Sequence, residues 1–224
     1  MNLCVKLAHR HGWKAAIFSP EMPVVPHLRD KFRRIVSKKS LDQLQPDELV
    51  RVDRWVNDNF VFIDHDVAGD NDEDLTLQWL LDRAYDALLR HGIRVLVIDP
   101  WNEIDHSKDK FESTTEYANR SLRTLIKFGR RHGLAVFVLV HPTKEVGKDG
   151  KLRVPSLYDA ADSAAFFNKP DFGIAIDRPN PNYTGTDPNV DHTNIYIRKV
   201  RFEGTGRKGE CSLNFDRSNS RYYA

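Results

Sequence analysis

Two stretches of the chain are continuously apolar, and a polar residue ends each of them. Residues 94–99 read Arg-Val-Leu-Val-Ile-Asp, and residues 134–141 read Leu-Ala-Val-Phe-Val-Leu-Val-His. Unbroken apolar runs are typical of parallel strands that helices cover on both faces. In such sheets, ligands bind at the carboxyl ends of the strands. The pattern therefore predicts a site in which Asp99 and His141 lie side by side.

Segments with helical periodicity separate these runs. Apolar residues recur at helical spacing over 77–88 until Gly92 ends the pattern, and a capping box at 113–116 opens a helix that ends near Gly133. The alternation of strands and helices predicts right-handed crossovers in a mainly parallel sheet. The same signals predict helices over 1–11, 26–38 and 46–57, strands over 14–19, 60–64, 172–177 and 194–201, and a closing hairpin over 204–215.

Length and composition are those of an ordinary soluble protein. The chain has 224 residues, of which 40% are hydrophobic and 29% charged, which is enough for one α/β domain over 1–224. The formal net charge is only +2, but the basic residues cluster. One such cluster is usually a solvated face, whereas three favour a polyanionic partner. The clusters are Lys31, Arg33, Arg34, Lys38 and Lys39; Lys144, Lys148, Lys151 and Arg153; and Arg198, Lys199, Arg201, Arg207 and Lys208.

The cysteine and hydropathy patterns exclude several classes of protein. The two cysteines, Cys4 and Cys211, are far apart in sequence and have no metal-ligand neighbourhood, which indicates a reducing compartment without a disulfide framework. No His-Glu-x-x-His or Cys-x-x-Cys motif suggests zinc. Charged residues interrupt the N-terminal segment, and no apolar stretch reaches membrane-spanning length. We expect a cytoplasmic protein that does not associate with membranes.

Five residues could carry chemistry. Asp99, at a strand tip, could hold magnesium beside nucleotide phosphates. Glu21, in a loop just beyond the first strand, could orient an attacking water as a general base, or it could be an ordinary surface residue. His141 could contact a γ-phosphate or be a core histidine. Lys199 and Arg201 share one face of a strand, which suits either a phosphate contact or a basic edge strand.

The order and spacing of these residues resemble a known family. Ser19-Pro-Glu21-Met, Val97-Ile-Asp99, Val138-Leu-Val-His141 and Lys199-Val-Arg201 follow one another like the motifs of the hexameric replicative helicases. This RecA-like family includes DnaB, Twinkle and the phage primase-helicases. The resemblance covers nearly the whole chain and is greatest to the phage and Twinkle branch, in which His replaces the Gln of DnaB at the strand tip.

The resemblance implies a role for each residue. Glu21 corresponds to the catalytic glutamate, Asp99 to the Walker B ligand of Mg²⁺-ATP, and His141 to the γ-phosphate sensor. Lys199 and Arg201 correspond to the arginine finger that is offered to a neighbouring subunit. The resemblance also implies a RecA-like three-layer fold, ATP and Mg²⁺ as cofactors, a homo-hexameric ring, and a primase as a partner, in a bacterial or phage-infected cell.

The family further implies loops that contact single-stranded DNA at the centre of the ring. These loops correspond to about 104–113 and 144–158, the second of which carries four cations. Contacts of this kind are mostly to backbone phosphates, so they depend on salt and are largely indifferent to sequence. The expected DNA-binding residues are Lys144, Lys148, Lys151 and Arg153.

One family motif is missing from the sequence. No Gly-x4-Gly-Lys-Ser/Thr loop occurs, and the nearest sequences, 147–151 and 204–209, lack the final Lys-Ser/Thr step. In the family this loop precedes the helix with which the chain begins, so we expect Met1 to lie downstream of the first strand and its P-loop. Positioning of the phosphates supplies most of the catalysis in phosphoryl transfer. We therefore predict little or no ATPase activity for the chain alone.

Three functions remain open from the sequence. The first is the motor domain of a ring helicase that couples ATP hydrolysis between subunits to movement along single-stranded DNA. The second is a non-catalytic single-stranded DNA-binding or assembly module with the same fold. The third is another RecA-like ATPase of the recombinase or plasmid-replication type. The Lys-x-Arg pair at 199–201, followed by a glycine-containing hairpin, favours the helicase.

Overall fold

The fold is known from a computed structural model. Its backbone contacts divide the chain into two compact units. The first comprises Met1–Ser107, Lys127–Val140 and Ser218–Arg221, and the second comprises Lys108–Ile126, His141–Arg217 and Tyr222–Ala224. The structure describes residues 1–64, 75–104, 112–142, 154–160, 164–178 and 190–224.

A four-stranded parallel sheet lies in the first unit. Its strands are β1 (Ala15–Phe18), β2 (Phe60–Ile63), β3 (Val95–Ile98) and β4 (Ala135–Val138), in the spatial order β2-β1-β3-β4. All three pairings are parallel and in register, so that Phe18 lies beside both Ile63 and Ile98. The predicted mainly parallel sheet is confirmed for this unit.

The helices follow the predicted periodicity. They are α1 (Asn2–His11), α2 (Arg29–Ser37), α3 (Pro46–Asn59), α4 (Leu77–His91), α5 (Thr114–His132) and the short α6 (Ala165–Asn168). Gly92 ends α4 with φ of 65°, a left-handed conformation that favours glycine. The capping box before α5 is present, because the Glu116 carboxylate accepts hydrogen bonds from the backbone and hydroxyl of Ser113. Among the described helices, none is both long and apolar enough to cross a bilayer.

An irregular helical turn precedes helix α2. We predicted a helix from about Pro26 to Lys38, and a π-type turn over Val24–Leu28 leads directly into α2 at Arg29. Val25 is extended, with φ of −118° and ψ of 127°. A residue before proline is disfavoured in the helical region, because the proline ring clashes with its backbone. The helical backbone therefore does not extend back beyond Pro26, in agreement with the predicted start.

Burial differs between the inner and outer strands of the parallel sheet. Every residue of β1 and β3 is buried, and the continuous apolar run at 94–99 predicted this for β3. All four residues of β4 are only partly buried, although the run at 134–141 also predicted a strand covered on both faces. The reason is topological, because β4 is the last strand in the order of the described sheet and has a neighbour on one side only.

A second sheet contains β5 (Phe172–Asp177), β6 (Val190–Val200), β7 (Gly209–Asp216) and β8 (Arg221–Tyr223), in that order. Strands β5 and β6 are antiparallel, as are β6 and β7. The predicted hairpin over 204–215 contains one strand, β7, which pairs with β6, so the hairpin is formed by β6 and β7 instead. Strand β6 begins at Val190 rather than at the predicted 194.

Helices α2 and α3 are joined by an ion pair. The Arg33 guanidinium donates two hydrogen bonds to the Asp53 carboxylate, from Nε at 2.8 Å and from Nη2 at 2.7 Å, and a third from Nη1 to Asp30 at 2.7 Å. About a quarter of each paired side chain is exposed, 23% for Arg33 and 26% for Asp53. Arg33 lowers the pKa of Asp53 from its ordinary value through these hydrogen bonds, against the opposing effect of burial.

Asp53→Asn is expected to lower the free energy of unfolding by about 1–2 kcal/mol at neutral pH, because it removes one charged partner of this bidentate pair. The folded-state pKa of Asp53 lies below the unfolded value. Its contribution is therefore complete above the unfolded pKa and is lost as the pH falls through the folded pKa. Urea unfolding at pH 7 and in acid measures the difference.

The matched control is Asp47→Asn on the same helix. Asp47 pairs with Arg51 at 2.9 Å, but the two side chains are 70% and 66% exposed, so little change is expected. Two results would contradict a stabilising Arg33–Asp53 ion pair. One is an equal loss of unfolding free energy in both variants, and the other is a loss in Asp53→Asn that persists in acid.

Candidate active site

Three carboxylates follow neighbouring strands at the carboxyl edge of the parallel sheet. Glu21 follows β1, Asp99 follows β3 and Asp64 follows β2. The register aligns the strand ends, and the Asp99 backbone N–H donates to the carbonyl oxygen of Phe18 at 3.0 Å. The sequence singled out the first two carboxylates. The structure adds that their strands are adjacent, although a strand and several helices lie between them along the chain.

Glu21 lies in a tight turn directly after β1. The turn closes where the Met22 N–H donates to the carbonyl oxygen of Ser19 at 3.1 Å. The Glu21 side chain is exposed and lines a depression of about 460 Å³. The basic side chains of His27, Lys31 and Arg34 line the same depression. Glu21 is therefore accessible to solvent and shares its surroundings with groups that can neutralise an anion.

Asp99 is more enclosed than Glu21. It is partly buried, and the next two residues, Pro100 and Trp101, are buried. The Trp101 N–H donates to the carbonyl oxygen of Leu139 at 2.8 Å, which fixes the backbone beyond Asp99. Within the described ranges, no group of three or more His, Cys, Asp or Glu side chains could hold a metal ion. Magnesium in nucleotide sites is commonly held by one or two carboxylates together with phosphates and water, so Asp99 fits such an ion.

Asp64 is a carboxylate that the sequence analysis passed over. It follows the apolar strand β2 as Asp99 follows β3, so the signal of an acid at a strand tip was present. Its side chain is exposed, and β1 separates its strand from β3.

His141 lies beyond the end of β4. The sequence predicted a strand as far as residue 141, but the strand ends at Val138. The Leu139 N–H still donates to the carbonyl oxygen of Ile98 at 2.9 Å. The neighbouring chain then reaches Pro100, which has no N–H to continue a ladder. His141 is exposed and belongs to the second unit, in which Pro142 forms an isolated antiparallel bridge with Ala160.

Lys199 and Arg201 both bind the end of helix α6. Lys199 Nζ donates to the carbonyl oxygens of Phe167 at 2.6 Å and Asn168 at 2.9 Å. Arg201 Nη2 donates to the carbonyl oxygens of Asn168 at 2.5 Å and Lys169 at 2.7 Å. The last carbonyls of a helix have no partner within the helix and attract cations. We predicted that both residues lie on one face of a strand, but β6 ends at Val200, so Arg201 lies just beyond it. The two side chains nevertheless share a partner, the carbonyl oxygen of Asn168.

Lys199 and Arg201 carry two positive charges, and one carboxylate among the described ion pairs lies beside them. The Asp171 carboxylate lies 3.4 Å from Arg201 Nε. The Lys199 ammonium also lies 5.4 Å from the centre of the Phe167 ring. Partial burial lowers the pKa of Lys199 from its ordinary value, and the charge of Arg201 lowers it further, while Asp171 raises it. Two cations held mainly by neutral carbonyls can accept an anionic ligand.

Comparison with known proteins identifies the family. A Twinkle homologue of Arabidopsis thaliana, described as chloroplastic/mitochondrial, is 34% identical over 228 residues that include 98% of this chain. The chain belongs to the RecA-like replicative helicase family. It spans 31% of the length of that relative. No family model matches the chain.

Solved structures of the helicase family share the fold. One solved ATPase domain has a TM-score of 0.71 and 18% identity, over 94% of this chain and 74% of its own. A DnaB-like replicative helicase, described with its interactions with primase, has a TM-score of 0.70 and 18% identity, over 94% of this chain and 51% of its own. At this level of identity the matches establish the fold alone, and they confirm the predicted RecA-like α/β architecture.

Four residues predicted from the replicative helicase family lie outside the described residues. These are the expected DNA-binding cations Lys144, Lys148, Lys151 and Arg153, and most of the expected loop at 104–113 lies outside them as well. The described end of the second loop, Val154–Tyr158, includes the start of a 3-10 turn over Leu157–Asp159.

Proposed function

We propose that this chain is part of the motor domain of a hexameric replicative helicase, which hydrolyses ATP between subunits and translocates on single-stranded DNA. The observation that carries this proposal is the placement of Glu21 and Asp99 at the same edge of two hydrogen-bonded parallel strands. In open α/β sheets that edge is where ligands bind.

Each residue of the edge has a defined part in the proposed reaction. Magnesium, when bound with ATP, neutralises charge on the β- and γ-phosphates. Asp99 supplies a hard oxygen ligand to that ion. Glu21, accessible in its turn, accepts a proton from the attacking water. His141 is proposed to sense the γ-phosphate, as the resemblance to the helicase family implies.

Lys199 and Arg201 are proposed to complete the nucleotide site of a neighbouring subunit. Each would exchange carbonyl partners at the end of α6 for phosphate oxygens. A guanidinium is always charged and can bind two oxygens at once, which suits the charge that develops during phosphoryl transfer. A closed homo-oligomeric ring follows from this arrangement, because every subunit then gives a finger and receives one, and the family resemblance implies that this ring is a homo-hexamer. Primase is a proposed partner, in line with the description of one structural relative.

The substitution of Lys148, Lys151 and Arg153 together by alanine is expected to weaken single-stranded DNA binding. If the three cations contact phosphates, each removed contact makes the negative slope of log K against log salt shallower by roughly 0.7. Fluorescence anisotropy of a labelled oligonucleotide over a salt series measures both affinity and slope. Replacement of Lys6, Arg10 and Arg54, which are exposed cations outside the expected loops, is the control. An unchanged slope in the loop variant would contradict the DNA-binding assignment.

Hydrolysis of ATP with and without single-stranded DNA tests the proposed function. The assay is made on this chain and on a chain extended upstream to include a Gly-x4-Gly-Lys-Ser/Thr loop. The proposal expects DNA-stimulated hydrolysis in the extended chain and little or none in this one. Binding of DNA with no hydrolysis in either chain would favour the alternative, a non-catalytic single-stranded DNA-binding module.

A further inference from the structure

An exposed aromatic ring lies close to the Lys199 and Arg201 pair. Tyr158 is 55% exposed, although it stacks on Phe167 with ring centres 4.3 Å apart and planes inclined by 20°. Phe167 in turn binds Lys199 twice, through its ring and through its carbonyl oxygen. One aromatic residue therefore touches both an exposed ring and a cation that the proposed function places on phosphate.

Hydrogen bonds and side-chain packing hold the turn that carries Tyr158 in place. Asp159 accepts hydrogen bonds from both the backbone and the hydroxyl of Ser156 at 2.7 Å, which closes a capping box. Leu157 packs against Gly173, where a β-carbon would come within 2.2 Å of its Cδ1. Gly173 is the register partner of Lys199 in the antiparallel sheet. The turn is thus anchored beside Lys199 through Leu157, while Tyr158 extends into solvent.

We propose that Tyr158 is a stacking platform for a base of single-stranded DNA, and that its contact with Phe167 links occupancy of this platform to the position of Lys199 and Arg201. The inference rests on the proposed DNA-binding function. Tyr158 belongs to the segment over 144–158 that carries the expected DNA-binding cations. An exposed ring combined with such cations is the arrangement by which proteins bind single strands without reading sequence, since every base has a face that can stack. In this proposal the base stacks on the exposed face of the Tyr158 ring and shifts that ring against Phe167, which packs on it.

The link to the cations follows from shared contacts. The Phe167 ring contacts both the Tyr158 ring and the Lys199 ammonium. A shift of Phe167 moves its carbonyl, and with it one of the two hydrogen bonds of Lys199. Asn168 then carries the effect to Arg201, because its carbonyl oxygen accepts from both cations. Phe167 is therefore a positioning residue for the finger rather than a catalytic one.

The platform is tested by binding of a deoxythymidine oligonucleotide and of an abasic strand of equal length to the full 224-residue chain. Tyr158→Leu is expected to weaken binding of the oligonucleotide roughly tenfold, the loss typical of one stacked base. Its salt slope should not change, because no phosphate contact is removed. Tyr158→Phe should restore binding, and Tyr223→Leu, at a tyrosine that is 45% exposed, is the matched control.

The abasic strand separates stacking from charge. The parent chain and Tyr158→Leu are expected to bind it with equal affinity. A tenfold loss on the abasic strand as well, or no loss on the oligonucleotide, would overturn the platform. Failure of the parent chain to bind either strand would overturn the proposed DNA-binding function itself, and the inference with it.

The link is tested by the rate at which an amine-reactive reagent acetylates Lys199, measured by mass spectrometry with and without saturating oligonucleotide. The Lys199 amine is held by two carbonyls, so release should raise its labelling, by roughly threefold if one aromatic contact is lost. Phe167→Leu should abolish the response to DNA. Phe215→Leu is the control, because Phe215 likewise lies under a cation, Arg178, and against a tyrosine, Tyr222.

Two outcomes of the labelling experiment would overturn the link while leaving the DNA-binding function intact. One is an oligonucleotide that binds the parent chain without changing the labelling of Lys199. The other is a fall in labelling that is equal in the parent, Phe167→Leu and Phe215→Leu, which would show that DNA phosphates cover Lys199 directly.

Discussion

Replacing Arg201 by alanine is expected to lower DNA-stimulated ATP hydrolysis by roughly 10³- to 10⁵-fold, the range over which an arginine finger acts. ATP binding should remain, because a finger supplied by a neighbouring subunit contacts charge that develops only in the transition state. The assay uses the chain extended by a P-loop, with binding followed by a fluorescent nucleotide. Arg198→Ala, three residues earlier in the chain, is the control, because the Arg198 guanidinium stacks on Tyr196 at 4.4 Å and is exposed.

A mixing experiment tells whether Arg201 acts between subunits. A ring of Arg201→Ala subunits lacks the finger, and a ring of Glu21→Gln subunits lacks the base, so each alone should be inactive. In a random mixture of equal parts, about a quarter of the head-to-tail interfaces pair an intact Glu21 with an intact Arg201. Recovery of activity on mixing would support a finger in trans. A mixture as inactive as its components would contradict it.

Because Arg201 contacts helix α6, the hydrolysis assay of Arg201→Ala also needs a check that the variant folds. The side chain binds the carbonyls of Asn168 and Lys169, so its removal leaves helix α6 with fewer partners. Single-stranded DNA binding and the thermal unfolding curve of Arg201→Ala should therefore be measured beside hydrolysis. Loss of hydrolysis with both of these intact points to the transition state rather than to misfolding.

The sequence predicted the strands that precede Glu21 and Asp99, but it did not predict the order of these strands in the sheet. The sequence predicted β1 as a strand, and it predicted β3 as a buried strand because a strand that helices cover on both faces has no polar interruptions. Glu21 and Asp99 could therefore be placed at strand ends. That β1 and β3 are neighbours was not evident, because the strand order β2-β1-β3-β4 does not follow chain order. The same order explains why the apolar run at 134–141 became a half-buried outer strand.

The sequence could not predict which groups Lys199 and Arg201 bind, because both side chains bind backbone carbonyls. Spacing of two residues on a strand predicted that Lys199 and Arg201 face the same way. No sequence pattern marks the oxygens that receive them, because any residue type has a carbonyl, and those of 167–169 lie more than 30 residues away along the chain. The Tyr158 and Phe167 stack was hidden for the same reason, because it depends on two short segments meeting in space.

Glu21→Gln is expected to lower ATP hydrolysis by roughly 10²- to 10⁴-fold in the P-loop-extended chain, the usual contribution of a general base. Glutamine has nearly the same shape but cannot accept the proton of the attacking water at neutral pH. The affinity for ATP should stay within a small factor, since Glu21 lies in an exposed turn rather than in the core. Single-turnover hydrolysis separates the chemical step from nucleotide binding and product release.

Asp64→Asn is the matched control for this substitution. Asp64 is also an exposed acid at the carboxyl end of a parallel strand, and its strand pairs with β1 in register. It follows β2, on the side of β1 away from Asp99, so removal of its charge should leave hydrolysis nearly unchanged. Equal losses in Glu21→Gln and Asp64→Asn would indicate that the edge needs negative charge in general. A loss confined to Glu21→Gln would assign the proton transfer to that carboxylate, because only a group within reach of the water can accept its proton.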